Sequence, residues 1–196
     1  MADFSDGIAA VLKGNSNPYI GEVGKWGFID KTGKEIIPCK YTSDYAEEGG
    51  LTPIPLTFSE GLAAVSVGNA ETQKCGFIDK TGKEVIPCKY TWVQNFSEGM
   101  AAVLEGDWGT GKWGFVDNTG KEIIPCKYYM VESFSDGMAA VRNAKTDKWG
   151  FVDNTGKEVI PCKYDYVNSF SKGITDVHLN GKQFYIDKTG KEYIKY

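Results

Sequence analysis

The sequence predicts an all-β protein built from five tandem four-stranded antiparallel meanders, and the main indication is an internal repeat. One block reads KWGFIDKTGKEIIPCKY in its first copy, recurs three times nearly unchanged and occurs a fifth time in altered form. Its copies occupy Lys25–Tyr41, Lys74–Tyr90, Lys112–Tyr128, Lys148–Tyr164 and Lys182–Tyr196. A second block, FS-x-G, precedes each copy and begins at Phe4, Phe58, Phe96, Phe134 and Phe170. No segment shows a sustained 3.6-residue apolar period, so we expect almost no helix.

Each unit holds four strand candidates, which are clearest near the end of the chain. The first precedes an FS-x-G turn, as in Tyr164–Phe170, and the second is the apolar run Met138–Val141. The third is Trp149–Asp153, and the fourth is Glu158–Ile160, which we expect to stop at Pro161. All are short, rich in β-branched and aromatic residues, and bounded by turn residues, as is typical of strands.

The turn between the third and fourth strands has its own signature, Asp-x-Thr-Gly-Lys. In Asp153–Lys157 the carboxylate can accept backbone N–H groups that follow it, and Gly156 can take the positive φ that closes the hairpin. The same pairs recur in the other copies as Asp30/Gly33, Asp79/Gly82, Asp117/Gly120 and Asp187/Gly190.

The strands are apolar on both faces. Met138 and Ala139 point in opposite directions along one strand, and so do Val159 and Ile160. A sheet with one face in water would alternate apolar and polar residues. We therefore expect each sheet to be sandwiched between two others, with the paired alanines allowing a close approach.

Two architectures satisfy this pattern. The favoured one is a five-bladed β-propeller, and the alternative is an open β-repeat array. Against ring closure, the first unit lacks most of its first strand, so Tyr193–Tyr196 would have to fill the gap. We predict a single repeat domain over residues 1–196, with an insertion at 42–57 and units at approximately 4–41, 58–90, 96–128, 134–164 and 170–196.

The recurring pattern KWGF[IV]D-x-TGKE-[IV]-IP-x-KY resembles the WG-repeat family, named for its Trp-Gly pair. Two departures stand out: Cys75 replaces the Trp in the second copy, and Gln183–Phe184 replace Trp-Gly in the last. The resemblance implies a bacterial β-repeat module whose members share no catalytic chemistry.

Composition argues against several classes of function. The net charge is −4 and the sole arginine is Arg142, so the basic patch of a nucleic-acid binder is missing. The N-terminal residues do not read as a secretory signal, and no apolar stretch is long enough to cross a bilayer, so we predict a cytoplasmic protein without membrane contact.

The sequence also lacks the residue sets of catalysis and metal binding. His178 is the sole histidine, and the repeated Asp and Glu residues lie in turns where they already have a backbone role. No CxxC pair occurs, so we interpret Cys39, Cys75, Cys88, Cys126 and Cys162 as small buried residues. We predict no catalytic residues, no metal site and no cofactor; an enzyme would need a non-repeated polar cluster that the sequence does not reveal.

Positions that differ between copies are the candidates for binding. The loop after the second strand varies in length and is longest at 15–24. The insertion at 42–57 places 16 residues where later copies have five. In three copies a variable residue also lies between the constant Tyr and the constant Val, namely Trp92, Met130 and Tyr166. If exposed, these three form a band suited to a sugar or peptide ligand; if buried, they are packing variants.

We therefore predict a noncatalytic interaction scaffold that presents variable loops to a protein or peptide partner. The alternative is a carbohydrate-binding module that uses repeated aromatic sites. Trp92, Met130 and Tyr166 are the predicted ligand-binding residues in either case.

Overall fold

The computed structural model describes residues 4–5, 7–14, 24–42, 56–69 and 72–193, and these residues form strands and turns without any helix. The prediction of an all-β protein made of tandem antiparallel meanders is confirmed. The chain divides into two compact units, Met1–Asn95 and Phe96–Tyr196. Most of the 15–24 loop and most of the 42–57 insertion lie outside the described residues.

The described part of the first unit contains two meanders and one further short strand. Its first sheet has the order β1-β2-β3, and its second has the order β4-β5-β6-β7. The strands are β1 (Ile8–Lys13), β2 (Lys25–Asp30), β3 (Glu35–Tyr41), β4 (Phe58–Ser59), β5 (Leu62–Val67), β6 (Lys74–Asp79), β7 (Glu84–Tyr90) and β8 (Trp92–Val93).

The second unit continues the same pattern in three meanders, built on β9-β10-β11, β12-β13-β14-β15 and β16-β17-β18-β19. Its strands are β9 (Met100–Glu105), β10 (Lys112–Asp117), β11 (Glu122–Tyr128), β12 (Met130–Val131), β13 (Met138–Arg142), β14 (Trp149–Asp153), β15 (Glu158–Tyr164), β16 (Tyr166–Val167), β17 (Ile174–Leu179), β18 (Lys182–Asp187) and β19 (Glu192–Tyr193).

The fourth strand of a meander does not stop at its proline, so that expectation is wrong. β15 runs through Pro161 as far as Tyr164, which pairs with Trp149 after two shifts of register. Proline has no N–H to donate, but β15 is the outermost strand of its sheet and needs partners on one side only. An irregularity of this kind adds residues to one strand and bends it.

The first strand is shorter than predicted. Only Tyr166–Val167 of the segment Tyr164–Phe170 forms β16, and the chain then turns through an isolated bridge between Ser171 and Ile174.

The glycine of the Trp-Gly pair is required by that irregularity. A Cβ atom on Gly150 would lie 2.5 Å from the Ile160 carbonyl oxygen and 2.7 Å from the Pro161 carbonyl carbon. Gly27 is equally close to its facing strand, with a Cβ 2.5 Å from the Ile37 carbonyl oxygen. In the last copy Phe184 stands in place of the glycine, and β18 pairs with β19 without a register shift. The Trp-Gly and Ile-Pro-Cys segments are therefore two halves of one close backbone contact.

Both faces of β13 are buried, as the sequence predicts. Met138 and Ala140 belong to a cluster with Phe151, Phe170 and other residues of the last two meanders. Phe151 and Phe170 meet edge to face with their ring centroids 4.7 Å apart. Ala139, on the opposite face, belongs to a second cluster that includes residues of the preceding meander. Layers with two apolar faces thus bury each other in the second unit.

The first unit shows the same layering. Ala10 and Phe28 of its first sheet pack with Phe58 and Val65 of its second sheet, and the two phenylalanine rings lie 5.2 Å apart.

The FS-x-G turn links one meander to the next, which the sequence reasoning missed. The Ser135 hydroxyl donates to the Phe170 carbonyl oxygen at 2.9 Å, and the Asp136 carboxylate accepts the Gly173 N–H at 2.5 Å. Likewise, the Glu98 carboxylate accepts the N–H groups of Asp136 and Gly137, both at 2.7 Å. The available signal was the x position, which is acidic in four copies and is lysine in the fifth.

The predicted Asp-x-Thr-Gly-Lys turn is confirmed. Asp153 Oδ1 accepts the Thr155 N–H at 2.9 Å, the Thr155 hydroxyl at 2.6 Å and the Lys157 N–H at 3.1 Å. Gly156 has φ 84°, in the left-handed region. The threonine hydrogen bond is the main reason why the pKa values of these aspartates lie below the ordinary range, and the pKa of Asp187 falls to about 2.

These turns predict a loss of stability in acid. A carboxyl group whose pKa is lower in the folded state stabilises the fold fully above its ordinary pKa of about 4. That contribution is lost as the pH falls through the folded-state pKa. We expect the melting temperature to fall between about pH 4 and pH 2, as measured by circular dichroism. Asp153→Asn should make the melting temperature depend less steeply on pH. A wild-type melting temperature that is constant over this range would contradict the prediction.

The end of the last sheet bears on ring closure. Glu192 and Tyr193 form β19 and pair with Ile186 and Tyr185 of their own sheet. Ring closure would require Tyr193–Tyr196 to fill the missing strand of the first unit. Tyr193 pairs within its own sheet, and residues 194–196 lie outside the described part of the chain. The closed five-bladed ring remains a prediction.

Candidate functional site

The three predicted ligand-binding residues begin the two-residue strands β8, β12 and β16. The side chains of Met130 and Tyr166 are 41% and 51% exposed, whereas Trp92 is half-buried. Two of the three side chains are therefore exposed, as binding to a sugar or peptide would need. Of these two, only Tyr166 has an aromatic ring. Their role in binding remains a prediction.

Met130 lies in a group of side chains that we call the Arg142 cluster: Tyr129, Met130, Arg142, Asp147 and Trp149. Met130 pairs with Arg142 across β12 and β13, and Arg142 pairs with Trp149 across β13 and β14. Residues directly opposite on antiparallel strands share a face of the sheet. The three side chains therefore lie side by side at the end of the β13–β14 hairpin.

The guanidinium group of Arg142 is held in place by its neighbours. It lies 5.5 Å from the Tyr129 ring centroid and 5.8 Å from the Trp149 ring centroid, within the range of a cation–π contact. Its Nη2 donates to Asp147 Oδ2 at 2.8 Å, and Nη1 lies 3.6 Å from the Met130 sulfur. Arginine stays charged at any physiological pH, so the cluster presents a fixed cation beside exposed apolar groups.

The loop that carries Asp147 is itself ordered by hydrogen bonds. Asn143 Oδ1 accepts the N–H groups of Lys145 at 2.8 Å and Thr146 at 3.2 Å, and Asp147 adopts a left-handed φ of 59°. This side-chain capping of a turn is typical of asparagine. The position of Asp147 beside Arg142 is therefore set before any partner arrives.

A second polar group lies on the last sheet, and we call it the terminal-sheet network: Tyr166, Asn168, Asp176, His178 and Gln183. Asp176 accepts from Gln183 Nε2 at 3.0 Å on Oδ1 and at 2.9 Å on Oδ2. Asn168 Nδ2 and His178 Nε2 lie 3.4 Å and 3.6 Å from Asp176 Oδ2. The Tyr166 hydroxyl lies 3.1 Å from Asn168 Oδ1. Asp176, His178 and Gln183 of this network have no identical counterpart in the other copies, and the sequence analysis did not single them out as a group.

A comparison of the copies could have found this network. Asp176 stands where the preceding copy has Ala140, and Gln183 stands where it has Trp149. His178 occupies the position of Arg142 and lies on β17, between β16 and β18, with a side chain that is 42% exposed. The signal was a coordinated change from apolar to polar residues in one copy.

The cysteines serve the fold. All five thiols are free; Cys75 is fully buried as predicted, whereas the other four are only half-buried. The Cys162 thiol donates a hydrogen bond to the Val141 carbonyl oxygen, with its sulfur 3.6 Å from that oxygen. Burial, with a contribution from a nearby glutamate, raises the thiol pKa of Cys88 and Cys162 to about 11, so both stay protonated at neutral pH.

The described residues contain no group of three or more His, Cys, Asp or Glu side chains that could hold a metal ion. Among the same residues, no helix has the length and apolar character needed to span a membrane.

Comparison with known proteins bears on the repeat. A family model described as WG containing repeat matches residues 26–53, 76–107, 113–145 and 149–182, more than half of the chain. The chain belongs to the WG-containing repeat family. This match confirms the resemblance carried by the Trp-Gly segments. A comparison of this WG-repeat protein with curated proteins found no match.

Proposed function

We propose that this WG-repeat protein is a noncatalytic interaction scaffold whose Arg142 cluster binds a protein or peptide partner. The proposal depends on one observation, the fixed Arg142 guanidinium between two rings with Tyr129 and Met130 about 40% exposed beside it. Tyrosine, tryptophan, methionine and arginine are the residues enriched in protein interfaces. The end of the β13–β14 hairpin brings all four together, which suits a peptide that lies across it.

The chemistry of the cluster suggests what the partner offers. An apolar side chain of the partner would cover Met130 and the Tyr129 ring, which removes apolar area from water. A carboxylate or carbonyl oxygen would accept from Arg142, whose planar donor set suits such groups. Because Asp147 already orients the guanidinium, little side-chain entropy is lost on binding.

The repeated carboxylates support a noncatalytic role. Asp153 and its equivalents accept three hydrogen bonds within their own turn, and Glu98 and Asp136 accept backbone N–H groups of the following turn. These groups already have partners that serve the fold.

Selection of random dodecapeptides on the immobilised full chain tests the proposal. We expect selected peptides to bind the wild-type protein in fluorescence polarisation, and Tyr129→Ala/Met130→Ala/Arg142→Ala to weaken binding at least about tenfold. The matched control is Asn118→Ala/Asn154→Ala, at exposed positions of the Asp-x-Thr-Gly turns. Failure to select any peptide, or equal affinity of the cluster variant and the control, would contradict the proposal.

A further inference from the structure

We propose that the terminal-sheet network binds a neutral oligosaccharide at one site per chain. This site uses none of the residues of the Arg142 cluster. It also differs from a set of repeated aromatic sites, because Asp176, His178 and Gln183 occur in the last copy alone.

The residues of the network share one face of the last sheet. Tyr166 pairs with His178 across β16 and β17, and His178 pairs with Gln183 across β17 and β18. Asp176 lies two residues from His178 on the same strand and therefore points to the same side. The next row on this face holds Tyr185 opposite Asp176 and Tyr193 opposite Tyr185.

The network presents fixed donors and acceptors. The Asp176 side chain is only 15% exposed, and Gln183 holds both of its oxygens in one orientation. Among the described residues, neither the Gln183 carbonyl oxygen nor the His178 Nδ1 atom has a hydrogen-bond partner. The Gln183 carbonyl oxygen and the Asp176 carboxylate can each accept a hydrogen bond from a sugar hydroxyl, and His178 Nδ1 can bond a further hydroxyl.

Exposed tyrosine rings provide the complementary apolar surface. Tyr166 is 51% exposed and Tyr193 is 43% exposed. The Tyr166 ring stands at 84° to the His178 ring with their centroids 5.5 Å apart, and its hydroxyl is tied to Asn168. A pyranose ring has an apolar C–H face that stacks on an aromatic ring while its hydroxyls reach polar groups beside that ring.

The chemistry of this face argues against other occupants. In the preceding copy the equivalent residues Ala140, Trp149 and Phe151 are buried under the next layer. A further apolar layer on the last sheet would instead bury the Asp176 carboxylate, which is costly without a full set of partners. An anionic ligand would meet the negative charges of Asp176 and Asp187, against the Lys191 ammonium group, whose Nζ lies 5.2 Å from the Tyr193 ring centroid. The occupant that satisfies both constraints is polar, hydroxyl-rich and uncharged.

Titration calorimetry of the full chain against cellohexaose, mannohexaose, xylohexaose and chitohexaose tests the inference, with a hyaluronan hexasaccharide as the anionic control. We expect at least one neutral hexasaccharide to bind with a stoichiometry near one. Asp176→Ala and Tyr166→Ala should each weaken binding at least about tenfold. Asp176→Ala places the residue of the other copies at this position, so we expect it to fold.

The Tyr129→Ala/Met130→Ala/Arg142→Ala variant should bind the saccharide like the wild type, which separates this inference from the proposed peptide binding. No binding of any neutral probe at millimolar concentration would overturn the inference. So would binding of the anionic probe alone, a stoichiometry of four or five, or full affinity of both network variants.

Discussion

The Ala140→Asp variant should lose the cooperative unfolding transition of the second unit. Ala140 is 2% exposed and packs in the apolar cluster with Phe151, Ile160 and Phe170. An unpaired carboxylate in that layer costs more than about 4 kcal/mol, and a domain is stable by only about 5–15 kcal/mol in total. Urea titration followed by circular dichroism measures the loss.

The last copy supplies the matched control, because Asp176 is the residue equivalent to Ala140. Asp176→Ala makes the reverse exchange on the outward face and should change the free energy of unfolding by less than about 2 kcal/mol, because the exposed Gln183 amide can bond water instead. If Ala140→Asp were as mild as Asp176→Ala, the two faces of β13 would not be buried in the way described.

Gly150→Ala should destabilise the protein by about 3 kcal/mol. Its new methyl group would lie 2.5 Å from the Ile160 carbonyl oxygen and 2.6 Å from the Cys162 nitrogen, so the backbone of β14 or β15 has to move. Overpacking against backbone is expensive because no side-chain rotation relieves it. Urea denaturation compared with the wild type measures the effect.

Gly137→Ala is the control for the loss of a glycine as such. Gly137 has φ 75° and no atom near its would-be Cβ, so this variant should cost about 1–2 kcal/mol through backbone conformation alone. A smaller loss for Gly150→Ala than for Gly137→Ala would show that the close contact between β14 and β15 is not rigid.

Local signals in the sequence predicted the meanders, the Asp-x-Thr-Gly turn and the apolar faces. The turn needs only contacts between residues two to four positions apart, as in Asp153, Thr155 and Lys157. Strand faces follow from alternation along the chain. These features could be predicted because each copy contains all the residues that make them.

The missed features depend on residues that are far apart in the sequence. The continuation of β15 past Pro161 depends on its contact with Gly150, and the bond between Asp136 and Gly173 joins successive turns. The terminal-sheet network needs the register of β16, β17 and β18 to bring Tyr166, His178 and Gln183 together. The sequence also could not tell whether Met130 and Trp92 are exposed, because the pattern around both positions is the same. In the structure Met130 is exposed and Trp92 is half-buried.

The hydrogen bonds between FS-x-G turns all run the same way, from the acidic x residue of one turn to the backbone of the next turn along the chain. Glu98 reaches forward to the turn at Asp136, and Asp136 reaches forward to Gly173. A module copied whole carries both the acidic x residue that bonds the next turn and the backbone N–H groups that bond the preceding one. Gain or loss of a complete module within the second unit would therefore preserve these bonds. Unequal recombination between such near-identical stretches can therefore change the length of the protein without inventing a new interface.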